Sequence, residues 1–187
     1  MYKEAKRKRI HYKEKTSSVN RSKIKKAFKK EEETKEGLNC CQINSFLQNV
    51  PNFYGCFSND EIQNILVDSL PLKLIVNLDN SSHNGSHWLA IRVDKRSVEI
   101  FDPLGFKLDK WPTIPYSLID FIRNISYRRK LFISRELQPK DSYLCGFYCV
   151  FYFLSREISS FYSIVNCFSP DLSKNDRILK NLLCKIK

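Results

Sequence analysis

The chain has 187 residues, of which 42% are hydrophobic and 13% aromatic, with only 5 glycines and 7 prolines. This composition excludes a wholly disordered, collagen-like or low-complexity protein, and the length allows one compact domain. The net charge is +12, and residues 1–36 contribute +8 of it, from 14 basic and 6 acidic residues. No apolar run approaches the roughly 20 residues of a membrane span, and the first residues lack the apolar segment of a secretory signal. We therefore expect an intracellular, soluble protein that is not secreted.

The basic excess is concentrated in an N-terminal arm, residues 1–36. The isolated apolar residues Ile24 and Phe28 cannot bury enough surface there to offset the entropy lost on folding. We therefore predict a mobile arm before a folded domain over 37–187, although a short helix from Ile24 onwards is compatible with the stretch. Four consecutive basic residues cluster near its start: Lys6, Arg7, Lys8 and Arg9. Such a cluster fits a nuclear-import signal or a contact with nucleic-acid phosphates, and it equally fits a solubilising tail.

The seven cysteines do not follow the spacing of a disulfide framework or a metal site. Their number is odd, none belongs to a CxxC pair, and Cys40 and Cys41 are adjacent. Such usage suits neither a secreted disulfide scaffold nor a four-ligand zinc site. We therefore expect reduced thiols, one of them reactive, and no requirement for a metal or another cofactor.

Apolar periodicity and turn residues predict the elements of the folded domain. Strand-like and helix-like segments occur without an internal repeat, which indicates the α+β class. A tight turn at Lys95 joins two of the strands into a hairpin. In chain order we predict a helix from Asp60 that ends before Pro71, a buried strand over Leu72–Asp79, a strand over His87–Asp94, its partner over Ser97–Phe101, a helix over Ile114–Ile125, a strand over Arg129–Leu137, a buried helix over Cys145–Ile158 and an amphipathic helix over Asn175–Lys187.

One histidine stands where the predicted elements hold it rigidly. His11 lies in the arm and His83 in a polar loop, whereas His87 begins a strand. Asp102 follows the partner strand, about as far after the turn as His87 is before it. Because the two ends of a hairpin return to one sheet edge, we expect His87 and Asp102 to meet. The alternative is an edge histidine with an ordinary structural hydrogen bond.

A cysteine opens the most apolar helix. Cys145 precedes Gly146, and the start of a helix favours the thiolate through its dipole and free N–H groups. A protonated imidazole nearby would favour it further, and the thiolate is the form that attacks carbonyl carbon. Gln138 lies upstream, where its side-chain amide and the Cys145 N–H together would form an oxyanion hole. Cys149, one turn later, is more simply a small buried residue.

Three blocks occur in order along the chain: GSHWLAI, EIFDPLG and QPKDSYLCGFYCVFY. They resemble the His, acid and Gln…Cys-Gly blocks of the adenovirus-type cysteine proteases, which are relatives of the SUMO-deconjugating proteases. Two details favour the adenovirus branch: Gln138 precedes Cys145 by seven residues rather than six, and FDPLG resembles its F-E-P-F-G block. The chain departs from that branch at Asp102, where the adenovirus enzymes carry glutamate, so a shorter acid has to reach the histidine.

Weaker similarity extends over NFYGCFSNDEIQNIL, LIVNLD and NDRILKNLL. These blocks resemble proteases of Maverick/Polinton-type virus-like transposons and related viruses, and together the matches cover about Asn52–Leu183. The resemblance implies a papain-like fold in which a central mixed sheet packs on a buried helix that starts at the nucleophile. It also implies four roles: nucleophile Cys145, base His87, orienting acid Asp102 and oxyanion donor Gln138.

The same resemblance implies a maturation protease that cleaves capsid precursor proteins, often at small residues including glycine, in a host nucleus or a virion. DNA is then expected as an activator bound by the basic arm, and we expect a monomer with no membrane partner. Two other interpretations stay open from the residues. One is an isopeptidase that removes a ubiquitin-like modifier, and the other is a nucleic-acid-binding protein whose site is inert.

Overall fold

The structure, a computed structural model, describes residues 22–31, 33–83, 85–106 and 114–185. His11 and the cluster of Lys6, Arg7, Lys8 and Arg9 lie outside these described residues, so their predicted roles are not addressed by it. Within the described residues, no helix combines the length and the apolar character that crossing a membrane requires.

Five strands form one mixed sheet, and helices pack on both of its faces, so the class is α+β as predicted. The strands lie in chain order across the sheet: β1 (Phe53–Ser58), β2 (Leu72–Asn77), β3 (Trp88–Val93), β4 (Ser97–Phe101) and β5 (Lys130–Ile133). The two outer pairs are parallel, and the pairs β2–β3 and β3–β4 are antiparallel. The helices are α1 (22–31), α2 (Cys40–Leu47), α3 (Tyr116–Ser126), α4 (Cys145–Arg156), α5 (Phe161–Val165) and α6 (Asn175–Leu183).

The alternation of side chains along the strands divides the core into two layers. Ile75, Ala90 and Phe101 point to the layer that contains α4, and the residues next to them point to the layer that contains α3. All nine residues of Cys145–Phe153 are buried, which explains why this helix is apolar on every side. The start of α4 is therefore held against the middle of the sheet.

The β3–β4 hairpin has the register that the sequence predicted. Val93 pairs with Val98 and Ala90 with Phe101, so the residues that flank the hairpin return to the same sheet edge. The hairpin therefore brings His87 and Asp102 to the same edge of the sheet.

Part of the predicted N-terminal arm is folded, in the region where the sequence allowed a short helix from Ile24 onwards. Residues 22–31 are helical, and Ile24 and Phe28 are each only 4% exposed. The Phe28 ring stacks on that of Phe147 with 3.9 Å between centroids. The two apolar residues looked isolated along the chain, but their spacing of four places them on one helical face, where they find a partner in α4.

The helix predicted from Asp60 is also corrected. Only Ile62–Asn64 forms one 3₁₀ turn, and the chain is extended at Ile65. Ile62 is fully buried, whereas Leu66 is 72% exposed. The predicted apolar face therefore has a single buried member, which is too little to stabilise a longer helix.

Candidate active site

His87 and Asp102 form a buried pair at the edge of the sheet. His87 Nε2 lies 2.6 Å from Asp102 Oδ1, and each residue is 6% exposed. The carbonyl of His87 accepts a hydrogen bond from the Leu78 N–H at 3.0 Å, which extends the pairing of β2 and β3 by one residue. The sheet therefore fixes the backbone of His87, and the hydrogen bond to Asp102 orients its ring.

The position of Asp102 is fixed by three further hydrogen bonds. Its N–H donates to Ser134 Oγ at 2.9 Å, and the Ser134 hydroxyl donates back to the Asp102 carbonyl at 2.8 Å. The Leu104 N–H donates to the carboxylate oxygen at 2.8 Å. Because the backbone of Asp102 is tied to the segment after β5, the short aspartate side chain reaches the histidine without a longer acid.

Cys145 is the first residue of α4, and its sulfur lies near enough to the His87 ring to raise the pKa of the imidazole. Since Nε2 is occupied by Asp102, Nδ1 is the ring nitrogen that faces the sulfur. Among the described residues, no side chain caps the first N–H groups of α4. These groups and the helix dipole therefore remain available to stabilise negative charge near the sulfur.

The surroundings of His87 favour its protonated form. Burial lowers the pKa of the imidazole, but the hydrogen bonds to Asp102 and Cys145 and the Coulombic attraction of both groups outweigh burial and raise the pKa to about 10. A histidine with this pKa is an imidazolium at neutral pH. The site therefore favours a positive ring between a carboxylate and a sulfur.

Cys149 lies one turn further along α4 in a different environment. It is fully buried, and its Sγ donates to the Trp88 carbonyl at 3.4 Å. Burial first, and then the charges of Cys145 and Asp102, raise the pKa of this thiol well above its ordinary value. Cys149 is thus a packing residue, as the sequence indicated.

Gln138 joins the acid loop to the loop before the nucleophile. Its side chain is buried, and its backbone N–H donates to the Pro103 carbonyl at 2.8 Å. Its Nε2 donates to the Ser142 carbonyl at 2.7 Å, while Oε1 has no hydrogen-bond partner among the described residues. One amide hydrogen is used by Ser142, and the second remains available for another acceptor.

The close packing of α4 depends on Trp88 and on a segment that the sequence did not single out. The Trp88 indole donates to the Leu38 carbonyl at 2.8 Å. A Cβ added at Gly146 would lie 3.0 Å from the Leu38 Cβ and 3.4 Å from Trp88 Cδ1, so the glycine after the nucleophile permits this contact. A Cβ at Gly37 would lie 2.9 Å from the Tyr143 carbonyl oxygen. The segment before α2 therefore forms a wall next to the site.

The structure brings together His87, Asp102 and Cys145 and places Gln138 on the segment between the acid loop and the nucleophile. His83 lies elsewhere, exposed in its loop with Nδ1 2.6 Å from Asn80 Oδ1. Within the described ranges, no group of three or more His, Cys, Asp or Glu side chains has the arrangement of a metal site. No protein-family model and no curated protein matches the chain.

Proposed function

We propose that the protein is a thiol hydrolase that cleaves peptide bonds, with a papain-like arrangement of its catalytic groups. The observation that carries the proposal is the His87 ring, which bonds to Asp102 through one nitrogen and leaves the other for the nearby Cys145 at the start of α4. A cysteine, an imidazole and an orienting carboxylate in this order form the activated nucleophile of cysteine proteases.

The first half of the reaction forms an acyl-enzyme. The Cys145 thiolate attacks the carbonyl carbon of the scissile bond, and the carbonyl oxygen becomes an oxyanion. The Cys145 N–H and the second amide hydrogen of Gln138 donate to this oxyanion. The His87 imidazolium then gives its proton to the leaving amine as the C–N bond breaks, which leaves a thioester and a neutral imidazole.

The second half releases the acyl group. The neutral His87 takes a proton from water, whose oxygen attacks the thioester carbon, and the same donors stabilise the second oxyanion. The C–S bond then breaks, which returns the acid product, the Cys145 thiolate and the imidazolium. Throughout the cycle, Asp102 keeps the ring oriented and stabilises its positive charge.

The burial of the site supports a narrow substrate channel. Cys145 and His87 are each only 6% exposed, and the wall at Gly37 and Leu38 packs against their neighbours Tyr143, Gly146 and Trp88. Large side chains next to the scissile bond would have to displace this wall, so the substrate is proposed to carry small residues there. A capsid precursor cleaved at glycine-containing sites, in a host nucleus or a virion, meets this requirement.

The test is cleavage of a candidate capsid precursor and of short glycine-containing peptides, with and without duplex DNA. We expect Cys145→Ala to abolish turnover and Cys149→Ala, one helical turn away, to retain it. A trapped thioester should appear as an added mass on Cys145. Turnover that survives Cys145→Ala, or a wild-type chain that cleaves none of these substrates, would overturn the proposal.

The same assay separates the remaining interpretations. A reporter in which a SUMO-type C-terminus is joined to a fluorophore would be cut faster than the peptides by a deconjugating isopeptidase. Stimulation by DNA would support its role as an activator bound through the basic residues of 1–36. A protein that binds DNA but neither cleaves substrate nor forms the thioester would be the inert nucleic-acid-binding alternative.

A further inference from the structure

The N-terminal end of α6 holds both ends of the segment that carries Gln138. Asn175 is fully buried, and its Nδ2 donates to the carbonyl of Leu137, the residue before Gln138, at 2.8 Å. The Asn175 Oδ1 accepts the Ser169 N–H at 2.8 Å, which fixes the orientation of the asparagine amide. The first residue of α6 therefore anchors the start of the segment.

The second residue of α6 anchors its other end. The Asp176 carboxylate accepts the Tyr148 hydroxyl at 3.0 Å and lies near enough to the Ser142 side chain for that side chain to lower its pKa, although burial raises the pKa overall. Tyr148 lies on α4, three residues after the nucleophile, so one carboxylate joins α6, the loop before Cys145 and the helix that begins there.

Ser142 connects Asp176 to Gln138. Its carbonyl accepts the Gln138 Nε2–H at 2.7 Å, and its hydroxyl oxygen accepts the Leu144 N–H at 3.2 Å. Residues 134–144 form an irregular segment, in which neither a helix nor a strand fixes the Ser142 carbonyl. A glutamine amide on three rotatable side-chain bonds depends on that carbonyl for its direction.

We propose that Asp176, together with Asn175, is a positioning residue that directs the Gln138 amide toward the oxyanion. This inference rests on the proposed function, because it concerns the same site. Asp176 acts through Ser142 and touches no reacting atom. Its contribution belongs to the transition state, in which the oxyanion forms, rather than to substrate binding.

The expected effect of Asp176→Ala is a lower kcat with little change in KM. Gln138→Ala, which removes the donor, should lower kcat by about 10²- to 10³-fold, and Asp176→Ala cannot exceed that loss if it acts only through Gln138. Asp176→Asn keeps an oxygen that accepts from both hydroxyl groups, so it should restore most of the rate. Asp171→Asn is the matched control, since the Asp171 side chain bonds to its exposed neighbours Ser173 and Lys174.

The decisive measurement is the double variant. In a Gln138→Ala background, Asp176→Ala should lower kcat by less than about threefold, because the donor that it positions is already gone. A merely structural role would predict that the two losses multiply. Ser142→Ala removes the intervening hydroxyl, and with it the acceptor of the Leu144 N–H. It repeats the test in the Gln138→Ala background if Asp176→Ala does not fold, and the same near-absence of a further loss is expected.

Two outcomes separate this inference from the proposed function. If the wild-type chain cleaves no substrate, the proposed function fails and the positioning role fails with it. If the wild type cleaves and the two losses multiply in the double variant, the positioning role alone is overturned. A melting temperature measured for each variant identifies any loss of folded protein.

Discussion

Replacing Asp102 by asparagine tests the electrostatic basis of the site with little change in its shape. Asparagine has nearly the same volume, and its Oδ1 can still accept the Leu104 N–H that Asp102 accepts at 2.8 Å. The bonds between the residue 102 backbone and Ser134 do not involve the side chain and remain. The main change is the loss of a negative charge beside the His87 ring, whose Nε2 lies 2.6 Å from the carboxylate.

The magnitude follows from Coulomb's law and from the pKa of His87. Two charge centres about 4 Å apart interact by about 4 kcal/mol at an effective dielectric constant of 20, which corresponds to roughly 10³-fold in the stability of the imidazolium. Without the carboxylate, burial favours the neutral ring, and the pKa of His87 should fall from about 10 toward or below its ordinary value of 6.5. Because asparagine keeps part of the hydrogen bond, we expect the imidazolium–thiolate pair to lose about 10²- to 10³-fold in stability.

The assay is the rate at which iodoacetamide alkylates Cys145 at pH 7, read by mass spectrometry of the cysteine peptides. The exposed Cys41, Cys167 and Cys184 serve as internal references in the same sample. Asp94→Asn is the matched control, because Asp94 pairs with Arg92 on the same hairpin, away from the site. Alkylation of Cys145 in Asp102→Asn within about fivefold of the wild-type rate, with an unchanged melting temperature, would refute this account of the site.

Two further predictions concern the stability of the fold. The buried Glu99 carboxylate accepts hydrogen bonds from Tyr152 at 2.5 Å and from Arg156 at 2.8 and 2.9 Å. In urea unfolding, Glu99→Ala should therefore lower the free energy of unfolding by about 3–5 kcal/mol and Tyr152→Phe by only about 1 kcal/mol. Equal costs would contradict a network centred on the carboxylate. Because the pKa of His87 is raised to about 10, its stabilising protonation is complete below about pH 6.5 and is lost as the pH approaches 10. The unfolding free energy should therefore fall by about 1.4 kcal/mol per pH unit between pH 7.5 and 9 in the wild type and less steeply in Asp102→Asn, whereas equal slopes would contradict the pKa assignment.

The elements that sequence predicted well are those whose pattern is dictated by full burial. α4 is apolar on every side because it lies in the middle of the core, and the strands on either side of Lys95 end at turn residues. α1 was not assigned to the core, because its stabilisation comes from contact between Phe28 and Phe147, which are far apart in sequence. β1 was also missed, since its residues pair only with β2 and show no clean alternation of burial.

Some residues of the candidate site could likewise be predicted from sequence, and others could not. His87, Asp102 and Cys145 were singled out from sequence because each stands at the end of a recognisable element and because the residue types suit one chemistry. Asn175 and Asp176 were not, since a polar pair at the start of an amphipathic helix looks like an ordinary solvated turn. Their partners Leu137 and Tyr148 lie 38 and 28 residues away along the chain, and the packing of α6 beside α4 brings them together.

β4 and α4 share an anchor that sets the distance to the site at their other ends. Glu99 is three strand residues before Asp102, about 10 Å, and Tyr152 is seven helix residues after Cys145, about 10.5 Å. Tyr152 bonds to Glu99 and its ring stacks on Phe101 at 4.5 Å, so the two elements are joined side by side at that level. Because the two lengths are nearly equal and the helix runs opposite to the strand, fixing Tyr152 on Glu99 brings Cys145 level with Asp102. A sliding of α4 by one residue would move the sulfur about 1.5 Å along the helix axis, enough to disturb its alignment with the His87 ring.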